Sequence, residues 1–429
     1  MARSLDLENR LLREIAQVRA VDVHSHVQAQ EPFARSLRDL LGYHYYTELA
    51  HSAGMSAEML APELPDEQAI PALLEALAAA NNTVQYGWLM ELSRELFGFT
   101  QGKLAAGNWE PLARAVRNAA ARPARAREIM ELSRIEKVFL TNNFDEALDA
   151  IDADLFVPTL RADALVFRLA DAHVREALEH VSDVSVTDGS SLRDALAGVV
   201  ERFVRAGARS AAISLPPRFR TQAVTAREFG AALGRALRGG KQDSGDETPL
   251  QSGVLFALVG LCRDFGLPLQ VMYGVVRDAY QHGVPQGRDL PEAGDTLAGL
   301  LPLLNAFPEV TFCLSVLSDS QRQELASYGW ILRNVVLSGH WWYANVPAYI
   351  EGDLAARLQS VPKTKLIGYY SDMYKLEFGL AKFSMFRRIL ARVLAEEFVE
   401  PGFGTEEDAL AVARLLLHDN AVRIFGLGD

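Results

Sequence analysis

The chain reads as an α/β protein folded as a single closed (β/α)8 barrel of the TIM type. Three observations predict this: eight short apolar runs bounded by polar turns, helical periodicity between many of them, and no glycine-rich nucleotide fingerprint behind any strand. The runs are 20–23, 137–141, 155–160, 210–214, 268–273, 310–315, 334–338 and 365–370. Most are continuously apolar, as expected of parallel strands covered on both faces. A doubly wound open sheet is the rival architecture, and the missing fingerprint argues against it.

The first run, Ala20-Val-Asp-Val, ends in His24-Ser-His26. Alternate side chains of a strand share a face, so both imidazoles point the same way and suit a divalent metal such as zinc. A long stretch, 31–134, follows with helical patterns at Pro71–Asn81, Trp88–Phe97 and Trp109–Ala119, and reads as an all-helical insertion. Later helices are expected over Arg193–Ala206, Ser252–Phe265, Ala293–Ala306 and Ser318–Tyr328. A second insertion spans 215–266, and its polar Gly239–Thr248 segment is the candidate mobile loop. The C-terminal region 381–429 reads as further helices, Ala381–Glu397 and Glu406–His418.

Composition bounds the partners. With 429 residues, 49% hydrophobic and 23% charged, the chain is long enough for one large core. Its net charge of -12 argues against nucleic acid or an anionic membrane, so an anionic substrate would need cations local to the site. Only Cys262 and Cys313 occur, both in apolar contexts, which fits buried thiols in a reducing compartment. No apolar signal region opens the chain, and a cytoplasmic enzyme is expected. The helical insertions are candidates for homo-oligomer contacts by fold analogy alone.

In such a barrel the residues closing each strand form the active site. Asp372 closes the eighth run, which barrel closure sets beside the first. Taken alone, an aspartate there suits a helix N-cap; beside His24 and His26 it becomes a third ligand that leaves a coordination position open. Arg161 ends the third run and Arg277 follows the fifth, where a guanidinium can grip a carboxylate or merely form a surface ion pair. His340 ends the seventh as a ligand, an acid/base group or a packed histidine, with Trp341 and Trp342 as pocket wall or plain packing. His44 and Tyr45 lie in the first insertion, placed to fold back over the site.

At these residues the chain resembles the uronate (glucuronate) isomerases, a branch of the amidohydrolase superfamily, over nearly its whole length. Asp22-Val-His24-Ser-His26 resembles the family's metal-binding opening. Asp39-Leu-Leu-Gly-Tyr-His44-Tyr45 resembles its Asp-Leu-Leu-x-Tyr-His-Tyr segment, and Val157-Pro-Thr-Leu-Arg161-Ala-Asp163 its Pro-Thr-Phe-Arg-Pro-Asp stretch. Gly339-His-Trp341-Trp342 is similar to a Gly-Trp-Trp turn, and Phe383-Ser-Met-Phe-Arg387-Arg388 with Asn420-Ala to the closing helices. The resemblance implies aldose–ketose isomerisation of a hexuronate by proton transfer between C1 and C2. It implies a metal on His24, His26 and Asp372, Arg161 on the sugar acid's carboxylate, and His44 and Tyr45 in proton transfer. Tyr45 suits that role if the metal or a cation lowers its pKa from about 10.

Three positions depart from the family's pattern. Asp372 is followed by Met373-Tyr374 instead of Ser-Arg, with Lys375 one position on; Ala212-Ile-Ser214 lacks the carboxylate expected after strand 4; Met272-Tyr273-Gly274 lacks the histidine expected after strand 5. His340 and Lys375 are the candidates for the lost roles. The alternative expectation is a divergent hydrolase or decarboxylase on the same scaffold, acting on a carboxylate-bearing small molecule with the metal's bound water.

Overall fold

The computed structural model describes residues 2–239, 244–292 and 296–428. Eight parallel staves succeed one another in chain order. They are β1 (Ala20–Asp22), β2 (Ile135–Phe139), β3 (Phe156–Val157 and Thr159–Arg161), β4 (Ser210–Leu215), β5 (Leu269–Tyr273), β6 (Phe312–Val316), β7 (Val335–Ser338) and β8 (Leu366–Ile367). All eight expected runs form strands, nearly all of their residues buried on both faces.

Stave β3 is split because Pro158 has no N–H for a ladder. Its first half pairs with β2 (Val138↔Phe156) and its second with β4 (Leu160↔Ala211), which joins the two ladders. Between β8 and β1 the bonding passes beyond the strand ends. The Asp372 N–H donates to His24 O (3.1 Å) and the His26 N–H to Met373 O (2.8 Å). Ser371 donates its N–H (2.9 Å) and its hydroxyl to the buried Asp22 carboxylate. The last stave is thereby bound to the first.

The 31–134 stretch is helical as expected, with helices Leu37–Leu41, His44–Ser52, Asp66–Leu77, Val84–Phe97, Glu110–Ala120 and Arg125–Ser133. The expected helix 293–306 is shorter: a 3-10 turn, Leu297–Leu300, leads into Leu301–Ala306, and 293–295 lie outside the described residues. The Gly239–Thr248 loop differs too. A helix, Ser244–Asp264, already begins inside it, and 240–243 lie outside the described residues.

The Glu377–Leu394 helix is buried almost all round, as a helix enclosed by others must be. It packs against the Ala2–Ile15, Val84–Phe97, Arg125–Ser133 and Pro347–Ser360 helices. Its Arg387 is anchored by donating to Ser133 O and Val18 O, both at 3.0 Å. Apolar burial forms one contiguous core. No helix among the described residues is long and apolar enough to cross a membrane.

Candidate active site and metal centre

His24 and His26 leave β1 with Ser25 between them pointing elsewhere. The Ser25 hydroxyl donates to Phe139 O (2.7 Å), and Thr141 Oγ1 donates to Ser25 O (2.6 Å), which ties the turn to the second stave. Both imidazoles converge on the last one. His26 Nε2 lies 3.3 Å and His24 Nε2 3.7 Å from Asp372 Oδ1. Ligand atoms from all three residues fall within 4.8 Å of one another, and this is the metal-competent cluster among the described residues.

The donor set fits a divalent cation on two counts. Asp372 Oδ1 is buried with no hydrogen-bond partner, an arrangement that costs free energy unless something positive completes it. Burial first, and then the nearness of His26, push His24 down to about 3, so its imidazole is neutral and has a lone pair for a metal. Burial alone would raise Asp372. The closeness of His26 first, then of His24 and Lys382, outweighs it and holds the carboxyl at about 2.

Asp372 takes a left-handed backbone conformation (φ 53°), which a non-glycine residue keeps only where its surroundings impose it. Those surroundings are explicit. Its N–H is held by His24 O, its carbonyl accepts from the Tyr43 hydroxyl (3.0 Å), and the Met373 N–H donates to Ser371 Oγ (3.1 Å). Beneath them lies Lys382, wholly buried, donating to Ser371 O (2.6 Å) and Tyr43 Oη (2.8 Å) and facing the rings of Tyr43, Tyr45 and Trp88. Burial lowers its ammonium to about 7 against the pull of Asp372 and Asp22.

The trio opens into a cleft of about 120 Å³. Of the residues singled out in the sequence, Arg161, Arg277, His44, Trp341 and Trp342 line it, together with Tyr374, Gln286, Asp163 and Asp289. Arg161 Nε lies 3.5 Å from Asp163, and Arg277 is paired with Asp289 at 2.5 Å. His44 Nδ1 meets Glu48 Oε1 at 2.8 Å. Tyr374 stands between the histidines, 5.0 Å from the His26 ring and 5.5 Å from that of His44.

Three expected residues stand outside that lining. His340 turns its Nδ1 to Asp353 (3.2 Å), itself paired with Arg357 (2.7 Å), in a buried cluster. Lys375 pairs with Asp39 (3.4 Å), donates to Glu31 O (3.1 Å) and lines an adjoining cavity. Tyr45 stacks on His44 at 4.3 Å, but its hydroxyl is buried without a partner. Burial, then the Asp372 charge, raise its pKa well above the ordinary value, the reverse of the lowering that proton transfer asks of it.

The sequence profile of the glucuronate isomerase family matches residues 4–425. The chain belongs to the glucuronate isomerase family. A uronate isomerase of Mesorhizobium japonicum is 26% identical over 44% of this chain and 42% of its own length; one of Sphingopyxis alaskensis is 24% identical over 92% and 91%. The glucuronate isomerase structure from Caulobacter crescentus superposes with a TM-score of 0.90 at 20% identity, covering 99% of this chain and 95% of that one. The chain is therefore an isomerase by family, and its barrel is the family's barrel.

At the departures, the cleft shows what replaces the family's polar groups. Ser214 and Met272 line it where a carboxylate and an imidazole are expected, and Tyr374 holds the strand-8 position of the arginine. Burial raises the Tyr374 hydroxyl above its ordinary pKa, so it stays a neutral phenol. Sequence reading missed Tyr374, Glu48 and Lys382. Glu48 was within reach, four residues after His44 on a helix and hence on the same face. A buried lysine in a helical stripe carries no such signal.

Proposed function

We propose that this chain interconverts a hexuronate of the glucuronate/fructuronate type and its 2-keto isomer, using a divalent metal, with zinc as first choice. The observation that carries this reading is the orphaned Asp372 Oδ1 facing two Nε2 atoms at the floor of a cleft whose wall holds two guanidinium groups. His24, His26 and Asp372 would hold the metal, which when bound supplies Lewis-acid polarisation of the sugar's C1 and C2 oxygens.

The chain's own groups do the rest. Among the described residues the terminal nitrogens of Arg161 donate no hydrogen bond, which leaves them to grip a carboxylate, and Arg277 adds charge in the same cleft. Trp341 and Trp342 wall the cleft and limit water. His44 moves the proton between the two carbons, with Tyr45 behind it as a stacking partner. His340 and Lys375 act from outside the lining, by holding the turns after β7 and β8. The reading takes the chain as one barrel unit, with the 31–134 and 215–266 insertions and the 381–429 helices built onto it. A cytoplasmic setting fits two free, buried cysteines.

A second reading, hydrolysis or decarboxylation of a carboxylate-bearing small molecule, is favoured by one observation. Ser214, Met272 and Tyr374 replace three polar groups of the isomerase pattern. Incubation with glucuronate and galacturonate, with and without added zinc, separates the two. Ketose formation that is lost on chelation supports the first; carbon dioxide release or hydrolysis without ketose supports the second. Elemental analysis gives an independent check: Asp372→Asn should lose nearly all the metal bound to the parent protein, and full retention would remove Asp372 from the ligand set.

A further inference from the structure

The structure assigns Glu48 as the positioning residue of the proton-transfer group: its carboxylate fixes His44 so that the imidazole, rather than the neighbouring phenol, faces the reacting carbons. This deepens the proposed isomerisation and rests on that reading for the identity of the reaction.

Geometry carries it. His44 is the first residue of the His44–Ser52 helix, and Glu48 sits one turn later on the same face, which brings Oε1 to 2.8 Å from Nδ1. Among the described residues Glu48 makes no other side-chain hydrogen bond or ion pair. The His44 ring is packed on its other sides: stacked on Tyr45 at 4.3 Å, with Tyr43 (4.9 Å), Trp342 (5.3 Å) and Tyr374 (5.5 Å) around it. A ring held this way has one free nitrogen, Nε2, and His44 lines the cleft.

Glu48 is itself held. The 277–291 segment passes so close that a Cβ on Gly287 would lie 2.8 Å from Glu48 Cγ, so only glycine fits. His51 Nε2, on the same helix, is 3.1 Å from His282 O of that segment. The arrangement has a reason. An imidazolium at a helix N-terminus is disfavoured by the helix dipole, and a carboxylate on Nδ1–H offsets that penalty and selects the tautomer with its lone pair on Nε2. Tyr45 lacks such support, since its hydroxyl has no partner.

The step balances as follows. Nε2 takes the proton from C2; the C2–H pair becomes the C1=C2 bond, and the C1 carbonyl π pair moves to O1. The C1=C2 pair then takes the same proton back from Nε2 at C1, while the O2–H pair forms the C2 carbonyl and its proton passes to O1. No oxidant or further reactant is needed.

Glu48→Gln and Glu48→Asp test it in the metal-loaded full chain. In Glu48→Gln, kcat on the uronate should fall roughly 100-fold, between the losses seen for partners of metal-bound and of catalytic histidines, with KM and metal content nearly unchanged. Losing the carboxylate lowers the affinity of His44 for a proton, so the acid limb of the kcat/KM profile should move to lower pH, and Glu48→Asp should restore part of the rate. Nitrogen-15 spectra of the histidines, with His44 assigned through His44→Gln, read the pairing without turnover. The parent should show the Nδ1–H tautomer and a higher His44 pKa than Glu48→Gln. An unmoved limb, or a His44 pKa identical in both proteins, overturns the assignment. If the parent isomerises no uronate, the proposed reaction fails while the nitrogen spectra still decide the role of Glu48.

Discussion

Arg161 is the residue at which the proposed carboxylate binding and the proposed metal binding should come apart. Its guanidinium reaches the cleft from the end of β3, with its Nε 3.5 Å from Asp163. Arg161→Ala should raise KM for the uronate at least about tenfold, the loss of a charge-assisted pair, and leave the metal content measured by mass spectrometry unchanged. Unaltered affinity would remove Arg161 from the site. Tyr374 is the complementary case. A neutral phenol in place of an arginine donates one hydrogen bond and no charge, so in the proposed reaction carboxylate recognition would fall on Arg161 and Arg277. Tyr43 contributes without touching the cleft centre, by donating to the Asp372 carbonyl.

At the level of elements, the turns that follow the strands position the chemistry. Gly339 ends β7 in the left-handed region (φ 49°), and a Cβ there would lie 2.2 Å from the Tyr370 ring. Its carbonyl accepts from Arg357 (3.0 Å), and the chain then runs into Trp341 and Trp342, the latter also left-handed (φ 40°). Gly339→Ala should therefore destabilise by about 3 kcal/mol, combining backbone strain with overpacking, and lower the thermal midpoint by several degrees. A midpoint equal to the parent's would show that the turn can relax. The periodic segments of the insertion were legible because each has an apolar face; the split of β3 was not, since a proline inside an apolar run does not say which neighbour each half will join. His340 likewise reads as a cleft residue by position, yet the Gly339 conformation turns it toward Asp353.

For the whole molecule, the His340–Asp353–Arg357 cluster couples stability to pH. Burial first, then Arg357, push His340 below its ordinary 6.5. Asp353 is held at about 2, because Arg357 and His340 outweigh its burial. Both groups bind fewer protons folded than unfolded, so each takes stability away as pH falls, His340 from 6.5 downward and Asp353 below 3.8. Asp22 acts in the opposite sense: burial raises it to about 7, and its contribution declines as pH rises from 3.8 to that value. The urea midpoint of the parent should fall between pH 7 and pH 5 more steeply than that of His340→Gln. Equal slopes would show that His340 does not titrate on unfolding.

The sequence by itself determined the eight strands and singled out His24 and His26 as candidate metal ligands, because apolar runs and a His-x-His at a strand end are local patterns. Tertiary structure alone decided the rest: the seam that sets Asp372 against both histidines, the lysine beneath it, and which of His44, Tyr45, His340 and Lys375 reach the cleft. Those depend on where a side chain lands after the backbone turns and on what buries it, and contacts between residues hundreds of positions apart leave no periodicity to read.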